Sequence, residues 1–141
     1  MKVKDLGFFG KYVRVKADDP VSEAAKEMVK QRALDVMVVD DNSKVVGIVT
    51  YRKILEDVVA KGLDSSKVMC KAVVSTNFVT ISAEDDIKEA IIKYTKFQID
   101  VGSDIPGLIV LADDRFVGVI PIADMYAAVS PQALYQYAMM K

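Results

Sequence analysis

Apolar and polar positions follow the same order twice along the chain. In the first copy, a short strand predicted at Val13-Arg14-Val15 precedes Asp18-Asp19-Pro20, which is typical of a helix start because carboxylates and proline favour a helix's first turn. Apolar residues then recur at helical spacing at Val21, Ala24, Ala25, Met28 and Val29. Two β-branched runs, 35–39 and 45–49, flank the polar residues 40–43 and predict a hairpin. After Thr50, a second helical pattern comprises Ile54, Leu55, Val58 and Val59 and ends near Gly62. The pattern predicts β-α-β-β-α.

The second copy repeats this order. Residues 13–24 align with 79–90 at a shift of 66, and 45–50 align with 116–121 at a shift of 71, so five additional residues fall near 101–106. The helical stripes are Ile87, Ala90, Ile91 and Tyr94, then Ile122, Met125, Tyr126 and Val129, with a hairpin at 108–111 and 116–120 between them. Hairpin strands as apolar as these must be covered on both faces, by helices or by the sheet of the other copy. We therefore expect an α+β protein of two pseudo-symmetric repeats packed into one module.

Composition excludes several chemistries. Among 141 residues, 19 Lys and Arg nearly balance 20 Asp and Glu, which argues against general nucleic-acid binding. With one cysteine and no histidine, we expect no internal disulfide, no metal cluster and no histidine-dependent catalysis. No apolar run approaches the roughly 18 residues that span a bilayer, and the N-terminus is too polar for a signal peptide. These features predict a cytoplasmic protein without a membrane partner.

The strand-to-helix turns are the candidate binding elements. They lie at 47–53 and 118–124, and each begins with a glycine that permits close backbone approach. Free N–H groups at a helix start favour an anion such as phosphate.

Residues 12–127 resemble a tandem pair of CBS domains, a Bateman module, in repeat order and in the Gly-x-x-Thr turn after the last strand of the first copy. We interpret the chain as a stand-alone protein of this family. The predicted organisation is an N-terminal segment at 1–11, repeat one at 12–62, a linker at 63–73, repeat two at 74–129 and a C-terminal helical tail at 130–141.

The resemblance implies an adenosine-containing ligand, such as AMP, ADP, ATP or S-adenosylmethionine, in the clefts between the copies. The family motif is Gly, two residues, Ser or Thr for phosphate, two residues, and Asp for both ribose hydroxyls. Copy one keeps Thr50 but has Lys53 at the aspartate position. Copy two keeps Asp124 but has Pro121 at the hydroxyl position, where proline offers neither a hydroxyl nor a backbone N–H. At most one complete site per chain is expected.

Each candidate residue also has a structural interpretation. Thr50 serves as a helix N-cap, and Asp124 favours a helix first turn without any ligand. Arg52 and Lys53 oppose the helix dipole, which suits a phosphate chain or simple solvation. By family geometry the adenine slot would be lined by Val13, Met37 and Val79, which are otherwise core residues. Phe8, Phe9 and Tyr12 are expected to pack on the core, and Cys70 to be a small apolar linker residue.

Two functions follow from these residues. The first is a non-catalytic regulatory module that binds a regulatory adenine nucleotide or S-adenosylmethionine and signals its occupancy to an unidentified effector protein. The alternative is a scaffolding or dimerisation module with degenerate nucleotide sites. The resemblance also implies a homodimer formed through the helices. An enzyme is disfavoured because no residue is marked as activated.

Overall fold

Both repeats adopt the order β-α-β-β-α in the computed structural model, which describes residues 1–6, 12–130 and 139. The first repeat comprises β1 (Arg14–Lys16), α1 (Val21–Gln31), β2 (Asp35–Val39), β3 (Val45–Thr50) and α2 (Tyr51–Ile54), which continues as a π-helical turn (Leu55–Val59). The second comprises β4 (Val79–Ser82), α3 (Ile87–Asp100), β5 (Gly107–Ala112), β6 (Arg115–Pro121) and α4 (Ile122–Val129). The predicted α+β class and repeat order are confirmed.

Each repeat forms a three-stranded mixed sheet. The strand orders are β1-β2-β3 and β4-β5-β6. In both sheets the first two strands are parallel and the last two form an antiparallel hairpin. The parallel strands are joined by a helix, as parallel pairing requires a long crossover.

The chain divides into two compact units, which we call the first unit (11–76) and the second unit (1–10 with 77–141). Alternate strand residues pack against the helices in each. The core of the first unit contains Val15, Val21, Ala24, Met28, Val36, Val38, Val49, Val58, Cys70 and Val73. The core of the second contains Val3, Val79, Ile81, Ala83, Ile87, Ala90, Tyr94, Leu108, Val110, Ile120 and Met125.

Short 3-10 helices complete the two cores. One at Val3–Leu6 belongs to the second unit, where Lys2 forms a β-bridge with Asp86. The other, at Cys70–Ala72, belongs to the first unit, where Met69 forms a bridge with Pro20. Each core therefore includes a segment from outside its own β-α-β-β-α run.

The five-residue difference between the repeats has three parts. Helix α3 has 14 residues against 11 in α1, and the following loop has six residues (101–106) against three (32–34). The second hairpin is one residue shorter, because Leu111 pairs with Phe116 whereas Val39 pairs with Val45. Six added residues and one lost give the net shift of five, so the insertion lengthens α3 as well as the predicted loop.

The helical stripes are wider than the surface that the chain buries. Val21, Ala24 and Met28 are buried, but Val29 is 81% exposed. Leu55 and Val59 are 51% and 61% exposed. Among the described helices, none is both long and apolar enough to cross a membrane. Phe8, Phe9 and the predicted tail helix after Ser130 lie outside the described residues, apart from the exposed Met139.

Candidate ligand-binding turns

The first turn joins β3 to α2 at Thr50. The Thr50 hydroxyl accepts a hydrogen bond from the Lys53 amide at 3.1 Å, so Thr50 is the N-cap of α2. The Tyr51 amide donates to the Leu34 carbonyl at 2.9 Å. Two of the first amides of α2 therefore have acceptors within the chain, which leaves fewer donors for an anion than the sequence suggested.

Both cations of the first turn form ion pairs. Arg52 Nε lies 2.7 Å from Glu56 Oε1, and Lys53 Nζ lies 3.0 Å from Asp57 Oδ2. The hydrogen bond from Lys53 holds the pKa of the Asp57 carboxyl below its ordinary value. These pairs have the i,i+4 spacing that stabilises a helix, and they offset the unfavourable effect of cations in its first turn. The turn is therefore close to electrically balanced.

The second turn joins β6 to α4 at Pro121. Pro121 is the N-cap residue and provides no side-chain hydrogen bond to α4. The Ile122 amide donates to the Pro106 carbonyl at 3.0 Å, as Tyr51 donates to Leu34 in the first unit. Asp124 is exposed in the first turn of α4, and within residues 1–6 and 12–130 its carboxylate has no ion-pair partner. The second turn thus presents an available carboxylate.

The strand register determines on which face of the first sheet Met37 and Thr50 lie. Met37 pairs with Ile48, and Asp35 pairs with Thr50. Directly paired residues share a sheet face, so these four lie opposite the core residues Val36, Val38 and Val49. The structure therefore brings Met37 and Thr50 onto one face.

Val13 and Val79 lie elsewhere. The Val13 side chain packs against the core of the first unit, although its carbonyl accepts the Met37 amide at 2.9 Å. Val79 is a buried member of the core of the second unit. Both side chains are thus engaged in core packing, and their contribution to an adenine slot stays a prediction.

Asp35 is a functional candidate that the sequence analysis missed. It opens β2 beside Thr50, and its carboxylate is half-buried. Burial raises the pKa of this carboxyl above its ordinary value. The available signal was an aspartate at the head of the apolar run 35–39, where a charged side chain is unusual.

An apolar groove lies between α1 and α2. Its volume is about 330 Å³, and it is lined by Ala25, Met28, Val29, Ala33, Tyr51, Ile54 and Leu55. Val29, Tyr51 and Leu55 are each more than half exposed, which is unusual for large apolar side chains grouped together.

The chain belongs to the CBS domain family. The family model matches residues 3–60 and 70–131, which covers most of the chain and both repeats. The protein is thus a CBS pair, or Bateman module, and modules of this class are generally regulatory and non-catalytic. Among curated proteins, no sequence matches the chain.

Solved structures with the same fold cover nearly the whole chain. Hypoxic Response Protein I, solved with two coordinated zinc ions, is 19% identical, with 91% of this chain and 98% of that one covered and a TM-score of 0.74. A CBS-domain protein from Agrobacterium tumefaciens is 23% identical, with 92% and 99% covered and a TM-score of 0.67. A CBS-domain protein from Burkholderia ambifaria, whose name assigns it to signal transduction, is 20% identical, with 94% and 96% covered and a TM-score of 0.68.

The zinc ions are a feature of Hypoxic Response Protein I. Within the described part of this chain, no group of three or more His, Cys, Asp or Glu residues could hold a metal ion. The similarity to these structures establishes the fold of the chain.

Proposed function

We propose that the protein is a regulatory CBS pair that binds an adenosine-containing ligand and signals its occupancy to a partner protein. The observation that carries this proposal is that both motif turns keep a strand-to-helix geometry, with Thr50 capping α2 and Asp124 exposed in the first turn of α4. A carboxylate suits the vicinal diol of a ribose because its oxygens accept two O–H bonds at once. Asp124 is the proposed ribose ligand.

The ligand class is AMP, ADP, ATP or S-adenosylmethionine. Thr50, Arg52 and Lys53 are the proposed contacts at the first turn, and Met37 shares the sheet face of Thr50. Val13 in the first unit and Val79 in the second unit are each proposed as an adenine contact. Signalling requires that the ligand bind one arrangement of the module, or of its partner, more tightly than another.

A thermal-shift screen tests the proposal. The protein would be melted with AMP, ADP, ATP, S-adenosylmethionine or no ligand, beside Asp124→Ala and the control Asp41→Ala, whose side chain is 99% exposed in a hairpin. A ligand at 100 times its Kd adds about 2.7 kcal/mol, which raises Tm by several degrees in a domain of this size. The proposal predicts a shift that Asp124→Ala removes and Asp41→Ala keeps.

A scaffolding module with degenerate sites is the second candidate. Lys53 stands at the position of the family aspartate and forms an ion pair with Asp57, and Pro121 stands at the position of the family hydroxyl. Both departures from the motif favour this second function. This function predicts no melting shift with any of the four compounds at millimolar concentration.

We also propose a homodimer formed through the apolar groove between α1 and α2. Its exposed residues Val29, Tyr51 and Leu55 would be buried against a second copy. Sedimentation equilibrium should show a dimer that Leu55→Asp converts to monomer, while Ile92→Asp on the exposed face of α3 leaves it intact. A wild-type monomer at micromolar concentration contradicts this assembly.

A further inference from the structure

Asp35 lies beside the hydroxyl that the family motif assigns to phosphate. Asp35 and Thr50 are directly paired across β2 and β3, so their side chains share one sheet face. Directly opposed Cβ atoms in an antiparallel pair are about 4.5–5.5 Å apart. A ligand group that reaches the Thr50 hydroxyl therefore also meets the Asp35 carboxylate.

The charge of Asp35 is not neutralised within the described residues. The Asp35 carboxylate has no hydrogen bond and no ion pair among these residues. The nearby cations Arg52 and Lys53 form ion pairs with Glu56 and Asp57 instead. On the same sheet face, Lys16 of β1 contacts Asp41 Oδ1 at 3.4 Å, and Arg14 pairs in register with Met37 rather than with Asp35. Desolvation, without a compensating charge, is what raises the pKa of the Asp35 carboxyl.

This carboxylate is specific to the first repeat. The equivalent pair that ends the second hairpin is Gly107 with Pro121. A Cβ on Gly107 would lie 2.7 Å from the Ile120 carbonyl oxygen, so the second sheet has no room for a side chain there. The two turns therefore differ in charge as well as in motif.

We propose that Asp35 makes the first turn select a hydrogen-bond-donating or cationic ligand group and reject phosphate. An unpaired, half-buried carboxylate is stabilised by a donor or a cation, and it repels a phosphate through like charge at low local dielectric. At the 5′ carbon of the ribose, where AMP, ADP and ATP carry phosphate, S-adenosylmethionine carries a cationic sulfonium, and its methionine chain ends in one ammonium and one carboxylate. The first turn thus favours S-adenosylmethionine over AMP, ADP and ATP; this rests on the proposed function.

Calorimetric titration of the full chain with S-adenosylmethionine and AMP tests the selection. Wild type should bind S-adenosylmethionine at least tenfold more tightly than AMP. Asp35→Asn keeps the shape of the side chain and removes its charge. This variant should bind S-adenosylmethionine at least tenfold more weakly and AMP more tightly, whereas the control Asp41→Asn should match wild type.

The outcomes distinguish a failure of the selection by Asp35 from a failure of adenosine-ligand binding itself. If wild type binds AMP as tightly as S-adenosylmethionine, or if Asp35→Asn leaves the ratio of the two Kd values unchanged, the selection by Asp35 is wrong while ligand binding stands. If wild type binds neither compound, and also neither ADP nor ATP, at millimolar concentration, the proposed function fails and the selection fails with it. Thermal unfolding of Asp35→Asn checks its fold, and we expect a Tm no lower than wild type because a desolvated charge has been removed.

Discussion

Val3 and Cys70 occupy equivalent positions in the two units, and each fills the core of one repeat from the segment that precedes the other repeat. Both are fully buried. The Val3 amide donates to the Asp85 carbonyl at 2.9 Å, and the Cys70 amide donates to the Asp19 carbonyl at 2.8 Å. The two matches to the family begin at these same residues.

This exchange ties the stability of each unit to a segment that is distant in sequence. Val3→Ala removes two buried methyl groups and should lower the free energy of unfolding by roughly 1–3 kcal/mol. Val101→Ala is the matched control in the same unit, because Val101 is 59% exposed and should change stability by less than about 0.5 kcal/mol. Urea unfolding followed by circular dichroism compares them, and equal effects of the two variants would contradict the exchange.

Cys70 should make stability depend on alkaline pH. Burial, with a smaller contribution from Asp19, raises the pKa of its thiol from 9.0 to about 11. The folded state therefore holds its proton where the unfolded chain loses it, so this contribution is intact below pH 9 and is lost as pH rises through 11. Between pH 8 and 11, wild type should lose roughly 1–3 kcal/mol more free energy of unfolding than Cys70→Ala. Urea unfolding across this range checks it, and parallel profiles would refute it.

Gly47 permits residues 74–75, which follow the linker, to cross closely over β3. Ile48 and Ser75 exchange two backbone hydrogen bonds of 2.9 and 2.7 Å, and a Cβ on Gly47 would lie 2.8 Å from the Ser75 oxygen. Gly47→Ala should lower the free energy of unfolding by about 1–3 kcal/mol. It should also accelerate hydrogen exchange at the Ile48 and Ser75 amides.

Gly62→Ala is the control for this crossing. Gly62 has open space around it and a φ of +69°, so its substitution strains the backbone locally. NMR-detected exchange at Ile48 and Ser75 should then be unchanged. Protection of both amides in Gly47→Ala would show that the crossing of β3 by residues 74–75 tolerates a side chain.

Thr50 should contribute to stability through its cap. Thr50→Ala removes the acceptor for the Lys53 amide and should cost about 1 kcal/mol of unfolding free energy. Thr50→Ser keeps the hydroxyl and should retain most of that stability. Chemical denaturation of the two variants without ligand tests this role, and a Ser variant as unstable as the Ala variant would contradict it.

The hairpins and helix starts were predictable because they follow from local patterns. The run 35–39 is β2 as predicted, and the polar residues after it form the turn. The exchange of Val3 and Cys70 was not predictable, because bridges between residues more than 45 positions apart leave no trace in local periodicity. The exposure of Val29 was also not predictable, because the apolar pattern of a helix does not show which of its residues other elements bury.

The candidate site was predictable only as a set of residue types. The motif identified Thr50 and Asp124, and the structure places both at strand-to-helix turns. The ion pairs of Arg52 and Lys53 depend on side-chain positions one turn further along the helix. Asp35 was missed because its proximity to Thr50 comes from strand register, which the motif does not contain.

NMR titration of the ¹⁵N-labelled protein, in separate samples, with S-adenosylmethionine, AMP, ADP and ATP tests whether the two motif turns bind an adenosine-containing ligand. If the turns bind the ligand, the amides of Thr50, Arg52, Lys53, Ala123 and Asp124 should show the largest chemical-shift changes, and these changes should saturate. Saturable changes confined to other parts of the chain, or no change with any of the four at millimolar concentration, would contradict it.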